Sequence, residues 1–293
     1  MKTHKTSVLF SFLCMLFSLS LIAIESNDKI NESYAIPEID GYSEVYIKNL
    51  HGSVTVESYN GKTVVIEATK TITAKNENNL EKGKSQINLK AYEYDKGVFI
   101  YLDHPCADFN AEELELCYNC NEHRNFWNKD YEFNIDILVK IPKDVDFVEA
   151  STVNKGELKI QNLSCNLNVS NVNGSLEVKN HSGNIDATTV NGDVTVSFIS
   201  NPTSYANFST INGTIEVKCL KQLSAKVNYK TMHGDFFTNY DNIEFLANKL
   251  IKSENKHHQS TKYKLGSIKS FKIGKGEADF SFKTLNGDMY LKN

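Results

Sequence analysis

The chain has 293 residues and a formal net charge of −4, with 32 Lys and Arg residues against 36 Asp and Glu residues. This mild charge excludes the strongly basic surface by which proteins bind nucleic acid or anionic lipid. Arg124 is the only arginine, so the bidentate contacts that phosphate and carboxylate sites favour are scarce. We therefore expect no nucleic-acid partner.

The first residues are typical of an export signal. Lys2 and Lys5 form a basic start, and an apolar run follows over residues 8–24. Such a segment directs a chain out of the cytoplasm, and we predict a signal peptide over residues 1–26, cleaved between Ala23 and Asn27. The run is also just long enough to span a bilayer, so an uncleaved anchor remains the alternative. We expect an extracytoplasmic protein in the periplasm, at the cell surface or secreted, with membrane contact only through this segment.

Short alternating strands follow the export segment. Residues 27–102 are predicted to form an N-terminal β region, with a polar lead over residues 27–40 and a charged loop over residues 75–85. Residues 103–130 break the alternation and are predicted to form a cysteine-rich loop. Abundant Thr, Val, Ile, Tyr and Phe favour an all-β fold.

A repeat occupies residues 131–293 and is interrupted by an insertion over residues 239–265. Each unit consists of an apolar residue, then Asn-Gly or a near variant, then an alternating strand. The step between units is near 20 residues for most copies, which is typical of stacked-repeat architectures. The apolar residue before the turn is Val153, Val172, Val190, Ile211, Met232 and Leu285 in the six units. His51-Gly52 belongs to a seventh, degenerate unit.

Two all-β folds fit this repeat. Asn-Gly between alternating strands is typical of a β-hairpin, which would give a hairpin-built β-sandwich with the pre-turn residue facing solvent. Because that residue is apolar in all six units, we favour a parallel β-solenoid (β-helix-like stack) of coils of about 20 residues, with the pre-turn residue facing inward. Asn and Gly would suit the corners because they tolerate positive φ angles. The predicted structural corner residues are Asn173, Gly174, Asn191, Gly192, Asn212, Gly213, His233, Gly234, Asn286 and Gly287.

The repeated Thr-apolar-Asn-Gly-Asp/Ser/Thr unit resembles the bacterial putative-adhesin domain family. The tail carries the same resemblance, in residues Phe271–Phe280 and Thr284–Met289. The likeness is good over residues 130–293 and weaker over residues 40–102. It implies an extracytoplasmic β-solenoid-like domain of unassigned biochemistry.

Cysteine and histidine residues cluster after the N-terminal β region. In an exported chain cysteines usually pair, so we predict a disulfide bond from Cys106 to Cys117 or Cys120. Zinc is the alternative. Cys165 and Cys219 occupy strand positions and are predicted to be buried thiols. The full cluster is His104, Cys106, Cys117, Cys120 and His123.

An acidic residue follows the turn in three units, at Asp193, Asp235 and Asp288. In a solenoid these carboxylates would recur along one edge, where stacked oxygen ligands could hold calcium. Other units carry Glu, Ser or Thr at this position. We therefore expect the short polar side chains to cap the turns by hydrogen bonds to the backbone.

Aromatic residues gather on the strands before the cysteine cluster and beside it. Exposed rings of this kind could stack on sugar rings, although anchoring of the core or of a loop is the expectation we favour. The residues are Tyr92, Tyr94, Phe99, Tyr101, Phe126, Trp127 and Tyr131.

No nucleophile triad, nucleotide-binding glycine loop or carboxylate pair can be singled out, so we predict no catalytic residue, cofactor or metal. The sequence predicts a non-enzymatic extracytoplasmic module for adhesion, binding or envelope structure. Its partner would be an envelope or surface ligand, either glycan or protein. The alternatives are a carbohydrate-active β-helix enzyme and an envelope signalling partner held by an uncleaved N terminus.

Overall fold

The computed structural model describes residues 23–36, 41–118, 130–247, 250–255, 260–265 and 268–293, with side chains outside residues 248–267. Residues 1–22 of the predicted signal peptide, which covers residues 1–26, lie outside the described residues. The first elements are β1 (Ile24–Ala35), β2 (Glu44–Lys48), β3 (Val54–Tyr59), β4 (Thr63–Ala74), α1 (Glu77–Gln86), β5 (Asn88–Tyr94), β6 (Gly97–Asp103), β7 (Ala107–Asn110), β8 (Glu115–Tyr118) and β9 (Tyr131–Pro142).

The remaining elements are all strands. They are β10 (Phe147–Thr152), β11 (Leu158–Gln161), β12 (Asn166–Asn171), β13 (Leu176–Ser182), β14 (Ile185–Thr188), β15 (Val194–Ser200), β16 (Tyr205–Ser209), β17 (Ile215–Lys218), β18 (Ala225–Lys230), β19 (Phe236–Thr238), β20 (Ile243–Leu246), β21 (Leu250–Asn255), β22 (Ser260–Leu265), β23 (Lys269–Ile273), β24 (Ala278–Lys283) and β25 (Met289–Lys292).

Two long sheets contain most of these strands. Within the described residues, sheet A has the order β1-β4-β9-β3-β11-β13-β15-β17-β25-β19, and sheet B has the order β20-β23-β18-β24-β16-β14-β12-β10-β2-β6-β5. From β2 and β3 onward the repeat strands pair in parallel with the next coil. The two strands that flank a corner lie in different sheets, so the parallel β-solenoid is confirmed and the hairpin-built sandwich is wrong.

The core lies between the two sheets and is built from alternate residues of each strand. Leu176 stands opposite Val194, which stands opposite Ile215, and all three side chains are at most 1% exposed. Burial of a side chain of this size stabilises the fold by about 1.5–3 kcal/mol. The period-two pattern of the sequence therefore follows from one face of each sheet packing against the other.

The apolar residue before most corners does not face the core, so that expectation is wrong for them, although Val153 is partly buried and packs against the core. Ile211, Leu285 and Met232 are 44%, 38% and 65% exposed, and the three valines at this position are half-buried. The alternation of inward and outward side chains continues into the corner. The residue that precedes the apolar one therefore points inward instead. Thr189 and Thr210, for example, are 1% and 3% exposed.

Glycine occupies the corners because neighbouring coils approach one another closely there. A Cβ atom on Gly192 would lie 2.3 Å from the carbonyl oxygen of Gly174, and one on Gly213 would lie 2.0 Å from that of Gly192. Such distances leave no room for any side chain. The φ angle of Gly192 is not positive, so lack of space explains this glycine, whereas Gly234 and Gly287 have the predicted positive φ angles, +149° and +144°.

The corner asparagines form a continuous ladder, which we call the Asn ladder. From Asn173 onward each amide nitrogen donates to the side-chain oxygen of the previous rung at 2.7–2.9 Å, and Nδ1 of His233 lies 3.0 Å from Oδ1 of Asn286. These bonds hold adjacent coils in register. The rungs in spatial order are Asn154, Asn173, Asn191, Asn212, Asn286 and His233.

The order of the coils in space differs from their order in the chain. Strand β24 lies between β16 and β18, and β25 lies between β17 and β19. The last repeat of the chain is therefore an internal rung of the solenoid. The insertion over residues 239–265 contributes β20, which pairs with β23 beyond the coil of β18.

Two segments of the N-terminal region differ from their predictions. Residues 24–35 form the edge strand β1, which pairs along its whole length with β4, in place of a polar lead. The predicted charged loop forms α1, which begins because Asn76 accepts a hydrogen bond from the Asn79 N–H and because Leu80 is buried. No helix in the described part of the chain is long and apolar enough to cross a bilayer.

Candidate ligand-binding cleft

The segment predicted to be a cysteine-rich loop includes the hairpin of β7 and β8, which lies on the outer face of sheet B. Phe109 of this hairpin packs 4.9 Å from Phe99, 4.6 Å from Tyr101 and 5.5 Å from Tyr92, measured between ring centroids. Phe99 and Tyr101 are consequently 1% and 9% exposed. These aromatic residues anchor the hairpin on the sheet, which is the role favoured for them from the sequence.

A cleft of about 370 Å³ opens between this hairpin and the outer face of sheet B. We call it the hairpin cleft. The hairpin supplies one wall, and strands β2, β6 and β10 supply the floor and the opposite wall. Its lining residues are Tyr46, Lys48, Asn49, Phe99, Leu114, Glu115, Leu116, Tyr118, Glu149, Ser151 and Val153.

Tyr46 presents an aromatic surface to the cleft in a fixed orientation. Its ring is stacked on Phe99 at 5.4 Å and tilted against Phe147 at 5.8 Å. The phenol donates a hydrogen bond to the Glu44 carboxylate at 3.0 Å. Burial, together with this acceptor, raises the pKa of Tyr46, so the phenol stays protonated. A rigid ring of this kind costs little side-chain entropy when it binds a ligand.

An ion pair of Lys48 and Glu149 lies beside the Tyr46 ring. The two residues belong to adjacent parallel strands, in which Tyr46 stands opposite Glu149. The second carboxylate oxygen of Glu149 accepts a hydrogen bond from the Asn168 amide at 3.2 Å. The ion-paired side chains are 23% and 25% exposed, so both keep polar atoms within reach of a ligand. The cleft thus combines an aromatic face with fixed hydrogen-bond donors and acceptors.

The hairpin wall of the cleft is largely apolar. Leu114 closes the β7–β8 turn at φ +50°, a left-handed conformation that is unfavourable for leucine. Tyr118 donates a hydrogen bond to the Leu102 carbonyl at 3.3 Å and stacks on His104 at 4.9 Å. Burial lowers the pKa of His104 to about 4, and its Nδ1 accepts the Cys106 N–H at 3.0 Å.

The described residues test one of the two predicted disulfide pairings, that of Cys106 with Cys117. Cys106 is 3% exposed, whereas Cys117 is an exposed free thiol, so a bond between these two is wrong. Cys120 lies outside the described residues. Cys165 and Cys219 are buried free thiols, as predicted, and burial raises the pKa of each to about 12.

Two of the three acidic residues after the corners accept a hydrogen bond from the backbone of the next rung. Asp193 accepts the Thr214 N–H at 2.7 Å, and Asp288 accepts the Asp235 N–H at 2.9 Å. These contacts are the capping hydrogen bonds expected of short polar side chains at turns. No group of three or more potential metal ligands is found among the residues that the structure describes.

The structure places the predicted corner residues away from the cleft. They form the Asn ladder and the glycine column beside it, at the junction of the two sheets. The cleft residues Tyr46, Lys48 and Glu149 were not singled out from the sequence. Each is an outward residue of an alternating strand, and only the register between two distant segments brings them together.

Comparison with known proteins assigns the chain to a family. The sequence profile described as Toastrack DUF4097 matches residues 3–289. The chain belongs to the Toastrack DUF4097 family. This assignment confirms the resemblance and the β-solenoid architecture inferred from the repeat. No curated protein matches this Toastrack chain.

Several solved structures are similar to this Toastrack protein. A putative cell adhesion protein from Clostridium sporogenes has a TM-score of 0.43 and 12% identity, covering 91% of this chain and 99% of its own. A putative adhesin from Bacteroides fragilis has a TM-score of 0.31 and 9% identity, covering 90% and 97%. A putative adhesin from Parabacteroides distasonis has a TM-score of 0.27 and 9% identity, covering 92% and 97%.

Proposed function

We propose that this protein is a non-enzymatic, extracytoplasmic adhesion module that binds carbohydrate in the hairpin cleft. The observation that carries the proposal is the juxtaposition of the fixed Tyr46 ring with the ion pair of Lys48 and Glu149. An aromatic face suits the C–H surface of a pyranose ring, and the ion pair offers donors and acceptors to its hydroxyl groups.

The extracytoplasmic location rests on the basic and apolar N-terminal segment. Strand β1 begins at Ile24, so cleavage after Ala23 would leave the whole strand attached to the mature protein. N-terminal sequencing of the exported protein tests this point. A start at Ile24 or a few residues later supports cleavage, whereas recovery of the apolar run supports the anchored signalling alternative.

A disulfide from Cys106 to Cys120 belongs to the same proposal, because an exported protein folds in an oxidising compartment. One observation supports it: of the two predicted partners of Cys106, Cys117 is a free thiol, which leaves Cys120. Such a bond would tie the hairpin to the segment that follows it. Peptide mapping without reduction tests the pairing, and a linkage of Cys106 to Cys117 would refute it.

The binding proposal is tested with a glycan array, followed by calorimetric titration of the exported protein. We expect Tyr46→Ala to weaken binding by about tenfold or more, because it removes the stacking surface. Tyr290→Ala is the matched control, since Tyr290 lies on sheet A and stacks on Phe237 at 5.0 Å. Equal affinity of the two variants would contradict the assignment of the cleft.

The same experiments distinguish an adhesion module from a carbohydrate-active enzyme. Each bound oligosaccharide is incubated with the protein and recovered for product analysis. Intact oligosaccharide supports an adhesion module. Shortened or unsaturated products that disappear in Glu149→Gln would instead show that the cleft is catalytic.

A further inference from the structure

A column of small hydroxyl side chains runs along the outer face of sheet B. Strands β10, β12, β14 and β16 place Ser151, Ser170, Thr188 and Ser209 opposite one another. Adjacent rungs of a sheet are about 4.8 Å apart. Ser170 and Thr188 are exposed, and the other two are half-buried. Within the described residues, none of the four hydroxyl groups is hydrogen-bonded to another side chain, so they face solvent as a regular row of free donors and acceptors.

A second column, of longer polar side chains, flanks the hydroxyl groups on one side. It consists of Glu149, Asn168, Asp186 and Asn207, two positions earlier on the same strands. The Asn168 amide donates to Glu149 at 3.2 Å, and the Asn207 amide donates to Asp186 at 2.7 Å. These bonds fix the side chains in pairs and leave further lone pairs and N–H groups for a ligand.

The outward apolar residues before the corners form the third column. On these strands they are Val153, Val172, Val190 and Ile211, the last of which is 44% exposed. The serine side chains between the two outer columns are shorter than their neighbours, whereas Thr188 has the size of Val190. The three columns therefore make a shallow groove with a hydroxyl floor, one polar wall and one aliphatic wall, which we call the sheet B track.

The track is continuous with the hairpin cleft. Glu149, Ser151 and Val153 are the first member of each column and also line the cleft. At the other end, Lys283 on β24 takes the place of the hydroxyl residue opposite Ser209. Four rungs that carry the same three types of side chain thus extend away from the cleft. The row of hydroxyl groups ends at the long cationic side chain of Lys283.

We propose that the track binds a linear, uncharged polysaccharide in extended conformation, whose end or branch occupies the hairpin cleft. This inference rests on the proposed function and names its ligand class. An extended β-linked chain advances by about one pyranose residue per rung, so each sugar meets one floor hydroxyl. A hydroxyl edge of the chain meets the amides and carboxylates, and a C–H face of its rings, perpendicular to that edge, lies over the floor and the adjoining aliphatic side chains.

Other polymers fit the track less well. A polyanion would meet the carboxylates of Glu149 and Asp186 on the polar wall, where like charges repel. A peptide that adds to a sheet needs a free strand edge, and β10, β12, β14 and β16 are each paired on both sides. A neutral glycan satisfies the polar wall without either conflict.

The test is a chain-length series in calorimetric titrations of the exported protein. The probes are β-1,4-linked oligomers of glucose and of N-acetylglucosamine, from the monomer to the hexamer. The expected result is an affinity that rises from the dimer to the hexamer, by about tenfold or more. Thr188→Lys fills the floor with a long charged side chain and should remove this gain.

Thr195→Lys is the matched control, because Thr195 is an equally exposed threonine of the same coil that lies on sheet A. It should bind the hexamer like the parent protein. A hexamer that binds no more tightly than the dimer, or a hexamer insensitive to Thr188→Lys, overturns the track while the cleft proposal stands. Absence of binding by any oligomer overturns both.

Discussion

The hydroxyl group of Thr210 donates a hydrogen bond to the carbonyl oxygen of Gly192, one rung away, at 3.0 Å. Thr189 makes the same contact with Gly174 at 3.0 Å, and Thr152 makes it with Gly52 at 2.7 Å. In a neighbouring coil Asn171 takes this place and donates to Gly156 at 3.1 Å. In these four coils a buried polar side chain thus donates to a glycine carbonyl, whereas the hydroxyl groups of Thr231 and Thr284 are buried without such a partner among the described residues.

Thr210→Val should destabilise the protein by about 0.5–1.5 kcal/mol, because it removes the part-buried hydrogen bond to the Gly192 carbonyl. The substitution keeps the shape of the side chain, so packing changes little. Urea unfolding measures the difference. Thr195→Val, on the exposed face of the adjoining sheet, should change stability by less than about 0.5 kcal/mol. Equal effects of the two substitutions would contradict the role of the threonine column.

Gly192→Ala should be more harmful, costing about 3–5 kcal/mol, because the added Cβ atom would lie 2.3 Å from the Gly174 carbonyl oxygen. Gly41→Ala is the informative control. Gly41 has φ +66° but no heavy atom within 4 Å of an added Cβ atom, so only the backbone penalty of about 1 kcal/mol applies. A larger loss for Gly41→Ala would show that φ, and not space, selects glycine in this fold.

Lys155→Gly should stabilise the protein by about 0.5–1 kcal/mol. Lys155 has φ +61°, which is costly for any residue with a Cβ atom and is relieved in glycine. The lost ion pair with Glu132 is exposed and contributes little. Lys155→Ala removes the same ion pair and keeps the strain. The melting temperature of Lys155→Gly should therefore be higher than that of Lys155→Ala. The reverse order would show that the backbone at this position is not strained.

Stability should decrease as the pH falls from about 6.5 to about 4, partly because of His181. This residue is fully buried, and burial lowers its pKa to about 4. The unfolded chain therefore binds a proton in this window that the native protein does not, which favours unfolding by an amount on the order of 3 kcal/mol at the acidic end.

His181→Leu isolates this contribution. The Leu163 carbonyl that faces the ring also accepts the Ser182 N–H at 2.9 Å, so it keeps a partner in the variant. Urea unfolding across the pH window should give a shallower dependence on pH for His181→Leu than for the parent protein. Unchanged slopes would mean that His181 is already protonated in the native state.

Thiol labelling should distinguish the cysteines by burial. Cys117 is exposed and should react with iodoacetamide in the native protein. Cys165 and Cys219 should react only after unfolding, because they are buried and the pKa of each is raised to about 12. Mass spectrometry of peptides reads out each site, and native labelling of Cys165 would contradict the packing of its coil.

The sequence was sufficient for the architecture but not for the direction of the side chains at the corners. A period near 20 residues predicts stacked coils whichever face each residue takes. The orientation of the corner residues depends on where the strand alternation stops, and at Thr210 it continues one residue further than expected. The buried polar position was visible as a recurring Thr, but an isolated Thr is equally compatible with an exposed strand face.

The cleft and the coil order could not be predicted because both depend on contacts between distant segments. Lys48 and Glu149 are about a hundred residues apart and become neighbours through the pairing of β2 with β10. Residues 278–292 carry the same repeat signature as their neighbours, and nothing in that signature specifies which rung they fill. Local patterns determine the shape of one coil, whereas register and order are properties of the assembled stack.

Because β24 and β25 are internal strands, residues 278–292 are needed to complete both sheets. As the chain leaves the ribosome, the coils of β16 and β18 are made first and must be held two rungs apart until β24 and β25 arrive. A premature stop at about residue 275 would therefore remove the middle of both sheets rather than trim one end. Residues 278–292 therefore connect the two parts of the stack, since β24 pairs with both β16 and β18.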